Sequence, residues 1–314
     1  MSSPQSMLGI FFRGVLMGAA DIVPGVSGGT VAFITGIYER LLDSIRSVDL
    51  DFAKRVLAGD IKAAWQHVDG GFMLALLAGI ACSILTLARL VSWLLETHPV
   101  PLWAFFFGLI LASALVLLRQ VDSWHASRLL ALILGVAVAV GIALAPITGL
   151  PTGLSMVFLS GFLAICAMIL PGISGSFILV LLGMYSTVLA ALKSFDLMFI
   201  LVFALGAVAG LLCFSRLLHW LLGRFHSATM AVLTGFLFGS LTIVWPWKEV
   251  TEWVTGSHGQ LKPAQQIPVT PDAFLTLSGQ DPQVALCVVL MVFGFALVWL
   301  VDWRWGVGRL QLQT

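Results

Sequence analysis

Two heptapeptides carry the residue types best suited to hold an anion, Pro24-Gly25-Val26-Ser27-Gly28-Gly29-Thr30 and Pro171-Gly172-Ile173-Ser174-Gly175-Ser176-Phe177, each within an otherwise apolar stretch. Proline removes a backbone donor and stops a helix, and glycine lets the backbone approach a ligand closely. A serine just beyond is a natural N-cap for a helix that restarts. A restarting helix turns unpaired N–H groups and partial positive charge toward whatever lies before it. Phosphate fits such donors, and so do carboxylate, halide and sulfate. A single Pro-Gly break could be a helix kink and no more, whereas duplication at matched positions argues for two loops sharing one site. The candidate binding residues are therefore Pro24, Gly25, Ser27, Gly28, Gly29 and Thr30 with Pro171, Gly172, Ser174, Gly175 and Ser176.

The elements that position these loops must lie in a membrane. Of 314 residues, 60% are hydrophobic and 10% charged, and the mean hydropathy is +1.04. That composition cannot cover a soluble core of this size, and stretches of roughly 20 apolar residues, long enough to cross the hydrocarbon, recur along the chain. A net charge of +1 argues against a nucleic-acid partner. Cys82, Cys166, Cys213 and Cys287 fall in apolar segments, at spacings of neither a metal site nor a disulfide framework, and read as small packing residues. The apolar run from Leu8 to Ala20 leads directly into Asp21 and the first break, so it is part of the fold rather than a secretion signal.

Hydropathy predicts a broken hairpin from Leu8 to about Tyr38, then spans near Gly71 to Leu95, Pro101 to Leu118 and Leu129 to Ile147. The pattern restarts with a second broken hairpin from about Leu154 to Leu192 and spans near Met198 to Leu222, Ala228 to Trp245 and Gln283 to Val301. Individual residues repeat as well. Pro24, Gly36 and Tyr38 recur as Pro171, Gly183 and Tyr185 at an offset of 147. Arg89, Trp93, Gly108 and Ser113 recur as Arg216, Trp220, Gly235 and Ser240 at an offset of 127. The difference is a polar insert of about 46–69, expected to form an amphipathic interfacial segment. The expected fold is an all-α integral membrane protein of two inverted repeats, 1–148 and 149–314, each a broken re-entrant hairpin plus three transmembrane helices.

Basic residues arbitrate the topology. Hairpins that leave on the side they enter give three crossings per half, an odd number, so the second half is inverted. Arg40, Arg46, Lys54, Arg55, Lys62, Arg119, Arg128, Arg224, Arg304 and Arg309 then share one face, against Lys193, Lys248 and Lys262 on the other. The positive-inside rule makes the first face cytoplasmic and places both termini there. The segment of about 247–282 becomes the main extracytoplasmic loop.

Arg89 and Arg216 sit within spans at equivalent repeat positions, where a cation costs about 2.5–3.5 kcal/mol on insertion scales. Either they neutralise an anionic head group, or they snorkel to the interface with Trp93 and Trp220 as belt residues. Asp21 has Met168 as its repeat equivalent and Glu39 has Ser186, so these acids break the symmetry. Asp21 is a candidate to couple transport to a proton or sodium ion. Glu39 is a second candidate, or pairs with Arg40 or Arg13 at the surface. His67, His98, His125, His219, His226 and His258 form no ligand pattern and read as interfacial; no cofactor or metal site is expected.

The run from Met17 to Thr30, with Phe33-Ile34-Thr35-Gly36-Ile37-Tyr38-Glu39-Arg40, closely resembles the bacterial polyprenyl-phosphate translocase family. Pro171 to Ser176 followed by Gly183-Met184-Tyr185 resembles it too, and the resemblance covers nearly the whole chain. It implies that undecaprenyl phosphate, the lipid carrier of cell-wall and surface-polymer synthesis, is returned from the outer to the inner leaflet of the bacterial cytoplasmic membrane. Neither composition nor spacing identifies that substrate.

Two other classes compete on the residues alone. Duplicated helix N-termini would equally serve a channel or carrier for a small inorganic anion. A lipid-phosphate phosphatase is disfavoured, because the chain shows no Ser-Gly-His element with a second His and no nucleophile paired with a base. The protein is therefore expected not to be an enzyme. The sequence leaves homo-oligomer formation open.

Overall fold

The computed structural model describes residues 6–22, 27–121, 123–145, 153–255 and 261–305. Pro24 and Gly25 lie outside the described residues, as do Arg309 and both chain ends. The chain opens with α1 (Met7–Ile22), followed after the first break by α2 (Gly28–Ile34) and α3 (Tyr38–Arg46). Next come α4 (Leu50–Leu57) and α5 (Ile61–His67), then three long helices, α6 (Gly70–Thr97), α7 (Pro99–Leu118) and α8 (Ala126–Leu144). The second broken segment comprises α9 (Leu154–Ile169), α10 (Gly175–Leu181) and α11 (Tyr185–Ser194), with α10 and α11 meeting at 113°. Then follow α12 (Leu197–Ser240), strands β1 (Lys248–Thr255) and β2 (Leu261–Pro268), α13 (Pro271–Ser278) and α14 (Val284–Trp305).

Among the described residues, five helices are long and apolar enough to cross a membrane, α6, α7, α8, α12 and α14. This is a multi-pass integral membrane protein. The two spans expected at 198–222 and 228–245 form one helix of 44 residues, with a non-helical break at Phe225 (φ −134°, ψ 47°). A straight helix of that length would run to about 66 Å, twice the hydrocarbon thickness of about 30 Å, so the break divides it into two span-length pieces. Exposed Leu, Val, Phe and Trp side chains along α8, α12 and α14 form the surface that lipid covers.

The helices meet through glycines. A Cβ on Gly79 of α6 would lie 2.1 Å from the Phe11 carbonyl of α1, and one on Gly14 would lie 2.2 Å from that of Leu76. The same pair recurs between α9 and α12, where Gly206 faces Phe158 at 2.0 Å and Gly161 faces Phe203 at 2.2 Å. These four positions obey the two sequence offsets. A third offset of 159, Gly135 to Gly294, emerges in space: Gly108 and Gly294 join α7 to α14 as Gly235 and Gly135 join α12 to α8. Close backbone approach is how helices gain dispersion contact where no hydrophobic force drives them together. The main buried cluster links α1, α2, α6, α7, α8, α12 and the second break, with Ile37, Ile110, Leu233 and Leu237 wholly enclosed.

The polar insert folds as the short helices α4 and α5. Asp49 caps α4 by accepting from Phe52 N–H (2.9 Å), and Asp60 caps α5 by accepting from Ala63 N–H (3.0 Å). Leu50, Leu57, Ile61 and Trp65 are exposed on these helices.

The loop of about 247–282 departs from an all-α expectation. It holds an antiparallel hairpin of β1 with β2 and the helix α13, capped by Thr270 and ended by Gly279 in the left-handed region (φ +68°). The hairpin forms because Trp253, Val254, Thr255 and Ile267 supply strand formers outside the apolar spans. It is anchored by Trp245 Nε1 donating to the Val269 carbonyl and Trp247 Nε1 donating to that of Pro282, both at 2.8 Å. Lys248, half-buried at the start of β1, donates to the Ile243 carbonyl (2.7 Å) with Nζ 3.6 Å from the centre of the Trp103 ring. Burial pushes this ammonium down to about 7 from its ordinary 10.5.

Two outcomes follow. Gly79→Val and Gly206→Val, each forcing a branched side chain against backbone, should each lower stability in detergent by at least about 1–3 kcal/mol, read as a fall in thermal midpoint. For Lys248, the unfolded chain holds the proton up to its ordinary value while the folded one loses it near 7, so stability should rise with pH above about 7. Lys248→Met should flatten that rise, and equal slopes in both proteins would contradict the lowered ammonium.

Candidate functional site

Pro171 has no N–H to offer Ala167, and α9 ends at Ile169, leaving the carbonyls of Met168 and Ile169 without helical partners. Had the helix continued, Gly172 N–H would have bonded to the Met168 carbonyl. Instead both groups turn to the first break. Gly172 N–H donates to Thr30 Oγ1 (3.1 Å), and Ser27 Oγ donates to the Met168 carbonyl (3.1 Å). Tyr38 Oη donates to the Ile169 carbonyl at 3.0 Å, its ring stacked on Phe33 with centroids 3.6 Å apart. The geometry demands glycine twice: Gly172 sits at φ +81°, and a Cβ on Gly29 would lie 2.7 Å from the Ile169 carbonyl.

The restart of α2 is fully capped. Ser27, in extended conformation, accepts from Gly29 N–H (3.1 Å) and is the N-cap, as its sequence position predicts. Asp21 Oδ1, from the last turn of α1, accepts from Gly28 N–H at 2.7 Å. The restart of α10 differs. Ser174 is again the N-cap residue, but its hydroxyl bonds to Ser176 Oγ (2.8 Å) and makes no cap bond. Beside this restart lies a half-open cavity of about 270 Å³ whose polar lining is Asp21, Ser174 and Ser176 and whose apolar wall includes Ile165, Leu179 and Phe203.

Of the sequence-predicted residues, Ser27, Gly28, Gly29, Thr30, Pro171 and Gly172 thus form one buried junction. Asp21, Ser174, Gly175 and Ser176 border the cavity. The two arginines lie elsewhere. Arg89 is exposed on α6. Arg216 is exposed on α12, donating to the carbonyls of Leu212 (2.9 Å) and Val48 (3.0 Å), one turn from a His219–Asp43 contact at 2.9 Å. Glu39 is exposed in the first turn of α3, and Arg40, one of its expected partners, pairs with Asp69 at 2.7 Å. Tyr38 is a junction residue that sequence reading placed only as a repeat marker. The chain has two tyrosines, and both, Tyr38 and Tyr185, fall at matched repeat positions, which was the available signal.

Thr30→Val should strand the buried Gly172 N–H and cost about 1–3 kcal/mol of stability, with Thr30→Ser recovering most of it. Ser27→Ala should cost about 1–2 kcal/mol through loss of the cap and of the bond to Met168. Thermal unfolding in detergent checks both; a Val variant as stable as the parent would show that the junction is not held by this bond.

A family model described as undecaprenyl phosphate translocase-like matches residues 17–262, a stretch that contains both breaks. The chain is 50% identical over 295 residues to a polyprenyl-phosphate transporter of Vibrio cholerae serotype O1, covering 94% of this chain and 96% of that one. It is 32% identical over 252 residues to a polyprenyl-phosphate transporter of Staphylococcus aureus, covering 74% and 84% respectively. No solved structure matches. With two breaks locked into one junction and a family match across most of its length, the chain belongs to the undecaprenyl phosphate translocase-like family, a family of transporters rather than enzymes.

Proposed function

We propose that this protein carries polyprenyl phosphate, undecaprenyl phosphate in the bacterial cell, across the cytoplasmic membrane. It returns the carrier lipid of cell-wall and surface-polymer synthesis from the outer to the inner leaflet. The observation that carries this reading is the joining of the two Pro-Gly breaks by reciprocal hydrogen bonds beside a small, mostly apolar cavity into which Asp21, Ser174 and Ser176 bring polar groups. Lipid offers no partner for broken backbone, so a break maintained twice and placed beside a cavity suits a transported anion. The relatives from Vibrio cholerae and Staphylococcus aureus, both named polyprenyl-phosphate transporters, supply the substrate class. Physically, only the phosphate head needs a path, because the polyprenyl tail can stay in hydrocarbon throughout.

In this reading the breaks are re-entrant elbows of two inverted repeats, 1–148 and 149–314, with both termini cytoplasmic and the β1–β2 loop outside. The head group binds where the elbows meet, near Ser27, Gly28, Gly29, Thr30, Gly172, Ser174, Gly175 and Ser176. Arg89 and Arg216, on the exposed surface of their helices, pass it between membrane face and elbows. The repeats rock to alternate access, with Asp21 or Glu39 coupling the cycle to a cation gradient. The interchanged packing of α7 on α14 and α8 on α12 supports such a motion, since each half contributes a helix to the other's bundle.

Reconstitution with labelled undecaprenyl phosphate tests this. Wild-type protein should clear the lipid from the outer leaflet, and Ser174→Ala/Ser176→Ala should slow clearance by about tenfold or more, as loss of hydrogen bonds to a charged group predicts. Arg89→Ala and Arg216→Ala should each slow it similarly; normally expressed variants that clear lipid at wild-type rates would remove the arginines from the path. Chloride or phosphate flux without lipid movement would replace this reading with that of an inorganic-anion carrier.

A further inference from the structure

The cavity beside the second elbow contains one ionisable side chain, Asp21. Its carboxylate is held in place, Oδ1 by Gly28 N–H at 2.7 Å, while a Cβ on Gly28 would come within 2.6 Å of Oδ2. Among the described residues that line it, no other side chain is charged. The helices α2, α9 and α10 carry none. Arg13 of α1 and Arg89 and Glu96 of α6 are not among the lining residues, and Arg216 of α12 is turned to Val48. The second copy of the motif has Met168 at the equivalent position, so one acid serves both elbows.

An anionic head entering this half-open, mostly apolar pocket of about 270 Å³ therefore meets a carboxylate beside the two serine hydroxyls it would use. Like charges held side by side against an apolar wall do not both remain ionised; one of them takes a proton. We propose that Asp21 is the proton carrier of the transport cycle, taking one proton when the phosphate head enters the cavity and releasing it when the head leaves. This rests on the reading of the elbows as the head-group site. In the step, an O–H bond forms on the carboxylate with a proton from water on the side of entry. That bond breaks to water on the side of exit, and nothing is oxidised or reduced. The neutral carboxyl keeps Gly28 N–H through its carbonyl oxygen and offers its own O–H to a phosphate oxygen. A metal ion is a poorer fit: beyond the carboxylate the polar lining is two hydroxyls bonded to each other, whereas hard cations such as calcium or magnesium gather about six oxygens or more. A proton moving with the head would let an acidic outer side drive the lipid inward.

The test uses the full-length protein in nanodiscs, farnesyl phosphate as probe, and a pH-indicator dye in weak buffer near pH 8. The second ionisation of the head, at about 6, is then complete. Wild type should take up about one proton per lipid bound, and its affinity should fall about tenfold per pH unit between about pH 7.5 and 9. Asp21→Asn should bind with no proton uptake and an affinity independent of pH. If that variant misfolds, the phosphorus-31 shift of the probe bound to wild type decides: a head that stays dianionic while one proton is taken up leaves Asp21 as the carrier, and a head that becomes monoanionic overturns the inference. Lipid binding without proton uptake, or affinity that follows sodium rather than pH, overturns the inference and leaves the head-group site standing. Failure of wild type to bind the probe at any pH overturns both.

Discussion

The centre of this molecule is organised by the broken hydrogen bond between Gly172 N–H and the Met168 carbonyl. In water such groups would be solvated. In an apolar interior each orphan costs several kcal/mol, so the break can exist only if other protein atoms replace what the helix lost. Thr30 takes the donor and Ser27 takes the acceptor, one residue on each side of the Gly28-Gly29 pair. Tyr38 then serves the next carbonyl, that of Ile169. One break is therefore the condition for the other, and the two elbows form a single unit rather than two neighbouring loops.

The rest of the architecture follows from bringing those elbows together. Their supporting helices must cross closely and repeatedly, and glycine against carbonyl provides that contact at α1 with α6 and at α9 with α12. The pairs α7 with α14 and α8 with α12 use the same device across the two halves. Helices joined backbone to backbone have little side-chain bulk to rearrange, so they transmit displacement as rigid pieces. The kink at Phe225 divides the longest of them between a piece packed on α9 and a piece packed on α8.

Chemically the two elbows are unequal. The first has its helix start occupied by a carboxylate and a serine of the protein itself, while the second has a serine pair beside a cavity. Sequence symmetry would have suggested two equivalent anion cradles. Two differences between the repeats, Asp21 against Met168 and Gly29 against Ser176, leave the first helix start capped and the second without a cap bond.

Much of this was legible in the residues themselves. Hydropathy determined the membrane class and the order of spans, because crossing the hydrocarbon requires about 20 apolar residues whatever the partners. Pro-Gly-x-Ser-Gly determined where helices stop and restart, and Ser27 is the cap that its position announces, since proline and serine act locally. The hairpin at Lys248–Pro268 was hidden because strand pairing in a short loop depends on register rather than on hydropathy. The placement of Arg216 against Val48 was equally hidden, because the side chain could reach either toward the elbows or toward the surface and only its neighbours choose. What the tertiary structure alone decided is the exchange of hydrogen bonds between Ser27, Thr30, Met168 and Gly172. Those residues are more than 130 positions apart, and nothing local relates them until the helices between have packed.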